Sequence, residues 1–156
     1  MIFIDSSVLY NALVVTELTE YSAKIFELNE PKITSEIVID EVWFALLKRD
    51  VGSPWKIKKE LRDNEEFRNT AVKYLSGILG FLSAQNVIVV ADSSNWAKIA
   101  YHVREFGLMP HDARILATAV EHGCDKLATL DKDFDPVRDI LTLVPEDFWQ
   151  KLTTQG

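Results

Sequence analysis

The sequence predicts an α/β fold, a three-layer α/β/α sandwich with a mainly parallel central sheet, on two observations. Short apolar runs alternate along the chain with longer amphipathic stretches, which is the pattern of strands joined by crossover helices. The runs are apolar or β-branched in succession rather than alternating with polar residues, as strands covered on both faces are. The length, 156 residues, suits one compact domain able to bury a core without disulfides.

Each element has its own signal. Residues 2–4, "IFI", read as a buried strand, and "SSVLYNAL" after it as a helix with Asp5 or Ser6 at the cap. A second amphipathic helix covers about 18–28 and stops at Pro31, and 32–34 is short enough for a strand. Ser35 can cap a third helix running through Lys48. Gly52, Ser53 and Pro54 break the chain, and a charge-rich helical region follows, a charged insertion over about 52–82 within a single domain of residues 1–156. "VIVV" at 87–90 is the clearest strand, β-branched throughout. A helix fits 93–105, ended by the stretch from Gly107 to Pro110, and "HDARILATAVEHG" is a helix that begins near Asp112 and closes at Gly123. "KLATLD" is a short strand running into a loop, and a strand near 141–144 and a small final helix complete the chain.

In open α/β sheets ligands bind beyond the carboxyl ends of the strands, and Asp5 and Asp131 both stand at such ends. Each acid has a bland reading. Asp5 and Asp112 can each be an ordinary helix cap. Glu41 is harder to dismiss, because its neighbours one turn away, Ile37, Val38, Phe44 and Ala45, are all apolar, so an ionised side chain there needs a partner or an edge that reaches solvent. "DKDFD" begins like a calcium-binding loop, but Pro136 and Thr142 occupy the positions that need Gly and Glu. A phosphatase whose strand ends in D-x-D needs most of its sheet downstream, and Asp133 lies only 23 residues from the end of the 156. Together the four acids offer what a hard divalent cation requires, several oxygen ligands from a converging site that can act on a phosphodiester.

The bulk composition sets the surroundings. A net charge of −7 argues against a protein that coats nucleic acid, although a metal held by carboxylates supplies the positive charge a phosphate needs. Cys124 is the single cysteine, reads as a small core residue, and fits a reduced cytoplasmic setting. Asp5 interrupts the first apolar run, so the start does not resemble a signal peptide, and no run approaches the ~20 residues of a membrane span. His102, His111 and His122 lack metal spacing, with His111 beside Asp112, and Phe148 and Trp149 read as packing the last helix.

Three segments, "MIFIDSSVL", "ITSEIVIDEVWFAL" and "PHDARILATAVEHGCDKLATLDKDF", with the spacing between them, resemble the PIN-domain family, in particular its VapC-type toxin-like and archaeal members. The helix followed by a T-x-D-x-D-F turn is the most specific of them. The resemblance implies a Rossmann-like sheet and a ribonuclease that depends on magnesium or manganese (Mg2+ or Mn2+) and leaves a 5′-phosphate. It implies that Asp5, Glu41, Asp112 and Asp131 are both catalytic residues and metal ligands, supported by Ser7 and Thr129, with Asp133 as an additional acid. It also implies a frequent homodimer and, for toxin-type members, an antitoxin protein encoded beside the chain. The alternatives are a catalytically inactive PIN-like module for RNA binding or assembly, against which the intact acids argue, and a response-regulator-like acceptor domain, for which Lys126 and Lys132 are not clearly placed. The 52–82 region is larger than a minimal domain needs.

Between Lys48 and Arg62 lie six cations, Lys48, Arg49, Lys56, Lys58, Lys59 and Arg62, against Asp50 and Glu60, a local charge of +4 in an acidic protein. One reading is an RNA-contacting flap in which Lys56, Lys58, Lys59 and Arg62 bind substrate and Trp55 stacks on a base. The other, which the sequence favours, is a solvated helix face with Trp55 in a core or dimer contact.

Overall fold

A computed structural model describes residues 1–156. The elements run β1 (Ile2–Ile4), α1 (Ser6–Leu13), α2 (Thr19–Glu27), β2 (Lys32–Ser35), α3 (Glu36–Val51), α4 (Pro54–Asp63), α5 (Glu65–Ala84), β3 (Val87–Val90), α6 (Trp96–Phe106), α7 (Pro110–Glu121), β4 (Lys126–Ala128), a 3₁₀ helix (Lys132–Asp139), β5 (Thr142–Val144) and α8 (Glu146–Thr154). The five strands form one parallel sheet in the order β3-β2-β1-β4-β5, sandwiched between helices. β1 is central, and all three of its residues are inaccessible to solvent, which is why "IFI" carries no polar alternation. The strand order reverses between β1 and β4, so the crevice above their carboxyl ends is the topological switch point.

The helical cover stops short of β3. As an edge strand it leaves Ile88 65% and Val89 40% exposed despite their apolar character. Three boundaries differ from those read in the sequence. The helical region after Pro54 is two helices, because Asn64 ends α4 and caps α5 by accepting from the Phe67 backbone N–H. α6 starts at Trp96 under an Asn95 cap, since Ser93 is drawn to α7, its backbone N–H donating to Thr118 and its hydroxyl to Glu121. α7 starts at Pro110, so Asp112 is its third residue and not its opening one. No helix is long and apolar enough to cross a membrane. A large core surrounds the sheet, and a small satellite of Leu47, Ile57, Phe67 and Ala71 ties α4 and α5 to the far half of α3.

Candidate active site

Four elements deliver carboxylates to the switch point. Asp5 follows β1 and is 2% exposed, Glu41 projects from the second turn of α3, Asp112 stands in the first turn of α7 at 5% exposure, and Asp131 follows β4 after two residues. The Asp5 backbone sits at the cap position of α1, but its side chain makes no capping hydrogen bond, and Asp112 makes none either, so the bland reading of both fails. Asp131 divides its labour: Oδ1 accepts from the Asp133 backbone N–H at 2.9 Å and starts the 3₁₀ helix.

Hydroxyl protons organise the group. Ser7 Oγ and Thr129 Oγ1 each donate to Asp5 Oδ2 at 2.8 Å. Each hydroxyl has one proton to give, so the 3.3 Å approach of Ser7 to Thr129 is contact and not a further bond. Their lone pairs then accept the backbone N–H groups of Leu130 at 2.9 Å and Asp131 at 3.1 Å. The turn after β4 is thereby fastened to the residue after β1, and Trp149 Nε1 holds it from α8 by donating to the Thr129 carbonyl at 3.0 Å. Ser6 Oγ lies 2.8 Å from Glu41 Oε2 and 3.5 Å from Asp5 Oδ1, so its single proton belongs to Glu41.

The electrostatics are those of crowded like charges. Burial pushes the Asp5 carboxyl above its ordinary range, against the pull of the Thr129 and Ser7 hydroxyls, and the charge of Asp131 adds to the rise. Glu41 is raised by burial and by Asp5, with Ser6 opposing. Asp112 is pushed up to about 7, by burial first and then by the charges of Asp5, Asp131 and Glu41, while His111 opposes. His111 is half-exposed, with Nε2 3.4 Å from Asp112 Oδ1.

This donor set fits a divalent cation. Oxygens of Asp112, Asp131 and Asp133 lie within 4.8 Å of one another, and no lysine or arginine pairs with them. Glu41 Oε1 is buried with no hydrogen-bond partner, an orphan acceptor of the kind a cation satisfies.

The sequence matches the family model described as PIN domain over residues 2–140. The chain belongs to the PIN-domain family. No protein of curated function matches it. Among solved structures that share the PIN fold, VapC20 of Mycobacterium tuberculosis, described as a sarcin-ricin-loop-cleaving toxin, aligns with a TM-score of 0.60 at 17% identity, covering 86% of this chain and 93% of that one. PAE2754 from Pyrobaculum aerophilum gives 0.59 at 16% identity over 97% and 95%, and FitAcB from Neisseria gonorrhoeae 0.61 at 20% over 96% and 99%. At such identities the likeness establishes the fold.

Within this PIN domain the shared oxygen cluster holds Asp112, Asp131 and Asp133, while Asp5, bound by Ser7 and Thr129, and Glu41 lie outside that cluster but near enough for their charges to act on Asp112. One neighbour escaped the sequence reading as a site residue, Ser6, whose signal was its place between Asp5 and a second serine. His111, read from its adjacency to Asp112 as a residue that could line the site, lies against that carboxylate. Lys56, Lys58, Lys59 and Arg62 are not part of the carboxylate cluster. They lie exposed on α4, and Arg62 is paired with Asp63 at 2.8 Å. Trp55 is 73% exposed, which rules out the core position considered for it. Cys124, Phe148 and Trp149 are buried as expected, and His102 is buried with both ring nitrogens unpartnered.

Proposed function

We propose that the chain is a divalent-metal-dependent endoribonuclease, with Asp5, Glu41, Asp112 and Asp131 as ligands of Mg2+ or Mn2+ and Asp133 as an accessory acid. The observation that carries this reading is the crowding of carboxylates at the switch point with no lysine or arginine paired to them, Glu41 Oε1 being buried without a partner. A divalent cation held there supplies positive charge opposite the scissile phosphate and makes nearby water more acidic.

The chain's own groups do the rest. Ser7 and Thr129 fix the Asp5 oxygens, and Ser6 fixes Glu41, so the acceptors are oriented before substrate arrives. A carboxylate of the cluster, Asp112 among them, helps accept the proton that an attacking water loses. Water oxygen bonds to phosphorus, the bond from phosphorus to the 3′-oxygen breaks, and the 3′-oxygen leaves with a proton, giving a 5′-phosphate and a 3′-hydroxyl. His111, half-exposed and 3.4 Å from Asp112 Oδ1, is the side chain of the site suited to contact a phosphate when protonated.

The family also supports a toxin role with an antitoxin partner, a second fold neighbour being a toxin-antitoxin complex from Klebsiella pneumoniae. A homodimer belongs to the same reading. Val72 and Leu79, exposed two turns apart on α5, offer an apolar stripe for it.

The test is cleavage of RNA with magnesium or manganese by the wild type and by Asp5→Asn and Asp112→Asn. Each substitution should lower the rate by at least ~100-fold, the scale of losing one preorganised electrostatic contact. Unchanged cleavage in either variant removes the assignment, and a domain serving only as an assembly module would take up no manganese in a calorimetric titration.

A further inference from the structure

We propose that the outer face of α4 is a docking strip for single-stranded RNA, with Trp55 as a base-stacking platform and Lys56, Lys58 and Lys59 as phosphate contacts. The inference rests on the nuclease reading for its purpose but on separate residues for its geometry.

The helix fixes which side chains face outward. Ile57 is buried against Leu47, Phe67 and Ala71, so it marks the inner side of α4. Trp55 and Lys59, four residues apart, share the opposite side, and Lys56 and Lys58 flank them. Trp55 is 73% exposed, and no aromatic ring or cation stacks on it. The other exposed tryptophan, Trp96, already carries the Arg114 guanidinium 5.1 Å from its ring centre. Lys56, Lys58 and Lys59 have no carboxylate within ion-pair distance, whereas Arg62 is turned onto Asp63.

Charge then selects the occupant. Residues 48–62 carry +4 in a chain whose total is −7, so everything outside this segment sums to −11. α4 itself sets Lys56, Lys58, Lys59 and Arg62 against Glu60 and Asp63, so this helix carries net positive charge in an acidic chain and attracts a polyanion. No second large apolar side chain of α4 is exposed beside Trp55, Ile57 being buried and Leu61 half-buried, so the face lacks the contiguous apolar patch that a folded protein partner needs. A flat, unshielded ring among unpaired lysines fits a base and its phosphates. On α3, Phe44, 45% exposed, and Lys48 follow Glu41 at spacings of three and seven, one continuous face leading from the cluster to the α3–α4 corner.

The test is fluorescence anisotropy of a short labelled oligouridylate with the full chain in EDTA, where cleavage is suppressed, across a range of salt. Trp55→Ala should weaken binding about tenfold, as loss of one base stack does. Replacing Lys56, Lys58 and Lys59 by Gln should flatten the slope of log affinity against log salt by about 2, three phosphates at ~0.7 each. Gln in place of the exposed Lys151 of α8 should change neither quantity. Unaltered affinity in the α4 variants, a wild type that binds no RNA, or polyglutamate competing as well as the oligonucleotide would each overturn the strip. Hydrolysis of bis(p-nitrophenyl) phosphate by the wild type with manganese tests the nuclease reading alone, so failure of that reading is seen separately from failure of the strip.

Discussion

Ser6 has one hydroxyl proton and places it on Glu41 Oε2, leaving Oε1 as the free oxygen of a half-buried carboxylate. That bond opposes the rise that burial and Asp5 impose on Glu41, so it favours the ionised form a cation needs. Ser6→Ala removes the donor without adding bulk. Manganese affinity in a calorimetric titration should fall about tenfold, the lower end of what loss of a ligand-orienting contact costs. Ser6→Thr keeps the hydroxyl and should restore most of it. Affinity unchanged in Ser6→Ala would mean that the serine merely fills space. Asp133 differs in kind: it is exposed, and its backbone rather than its carboxylate is what Asp131 binds, so its contribution to the oxygen cluster is the most adjustable of the five acids.

Among elements, α3 has the longest reach into the site, and its start is held from another strand. Asp92, just after β3, accepts the Ile37 backbone N–H through Oδ2 at 2.9 Å, while Ser35 at the cap position makes no side-chain cap. Asp92→Ala strips the first turn of α3 of its acceptor, and Glu41 sits one turn further on. The loss should cost about 1 kcal/mol. In a domain of this size that lowers the melting temperature by about 2–4 °C. Asp92→Asn, which retains an acceptor oxygen, should melt near the wild type, and equal melting of all three proteins would sink the capping argument. This contact also marks the limit of sequence reading. Ser35 was legible as the cap of α3 because serine before an amphipathic run is a local signal, but the actual acceptor lies 55 residues away and only tertiary structure brings it there. The same holds for the start of α6, where Ser93 is diverted to Thr118 and Glu121. The strands were legible because apolar runs need no partner to be noticed, and Glu41 because it stands among apolar neighbours, whereas Asp5, Asp112 and Asp131 each had an ordinary cap or loop reading and were joined to it by their combination and by the family resemblance. The Asn64 break between α4 and α5 carried a local signal, an asparagine before Glu65 and Glu66, that the continuous charge pattern obscured.

At the scale of the whole molecule the crowded acidic crevice costs stability when no cation is present. Asp5, Glu41 and Asp112 are all raised, so the folded, metal-free protein holds protons that the unfolded chain has already released. For Asp112 the folded state gives up no stability below the ordinary value of 3.8, loses it progressively from there to about 7, and bears the full penalty above. Asp125 and Asp147 are lowered by their partners and act in the opposite sense only below the ordinary carboxylate range, while His102, lowered by burial, opposes the trend below its ordinary 6.5 and blunts it against the three raised acids. Melting of the metal-free protein in EDTA should therefore shift downward as the pH rises from about 5 to about 8. Asp112→Asn, neutral at every pH, should flatten that trend and raise the melting temperature at the alkaline end by about 3–6 °C, the effect of ~1.5 kcal/mol. Manganese should have the inverse profile, stabilising the wild type most at high pH, because each ligand must be ionised to bind it. A wild type whose metal-free melting temperature rises between those two pH values, or an Asp112→Asn protein that melts below it at the alkaline end, would mean that the four carboxylates do not share the crowded crevice described here.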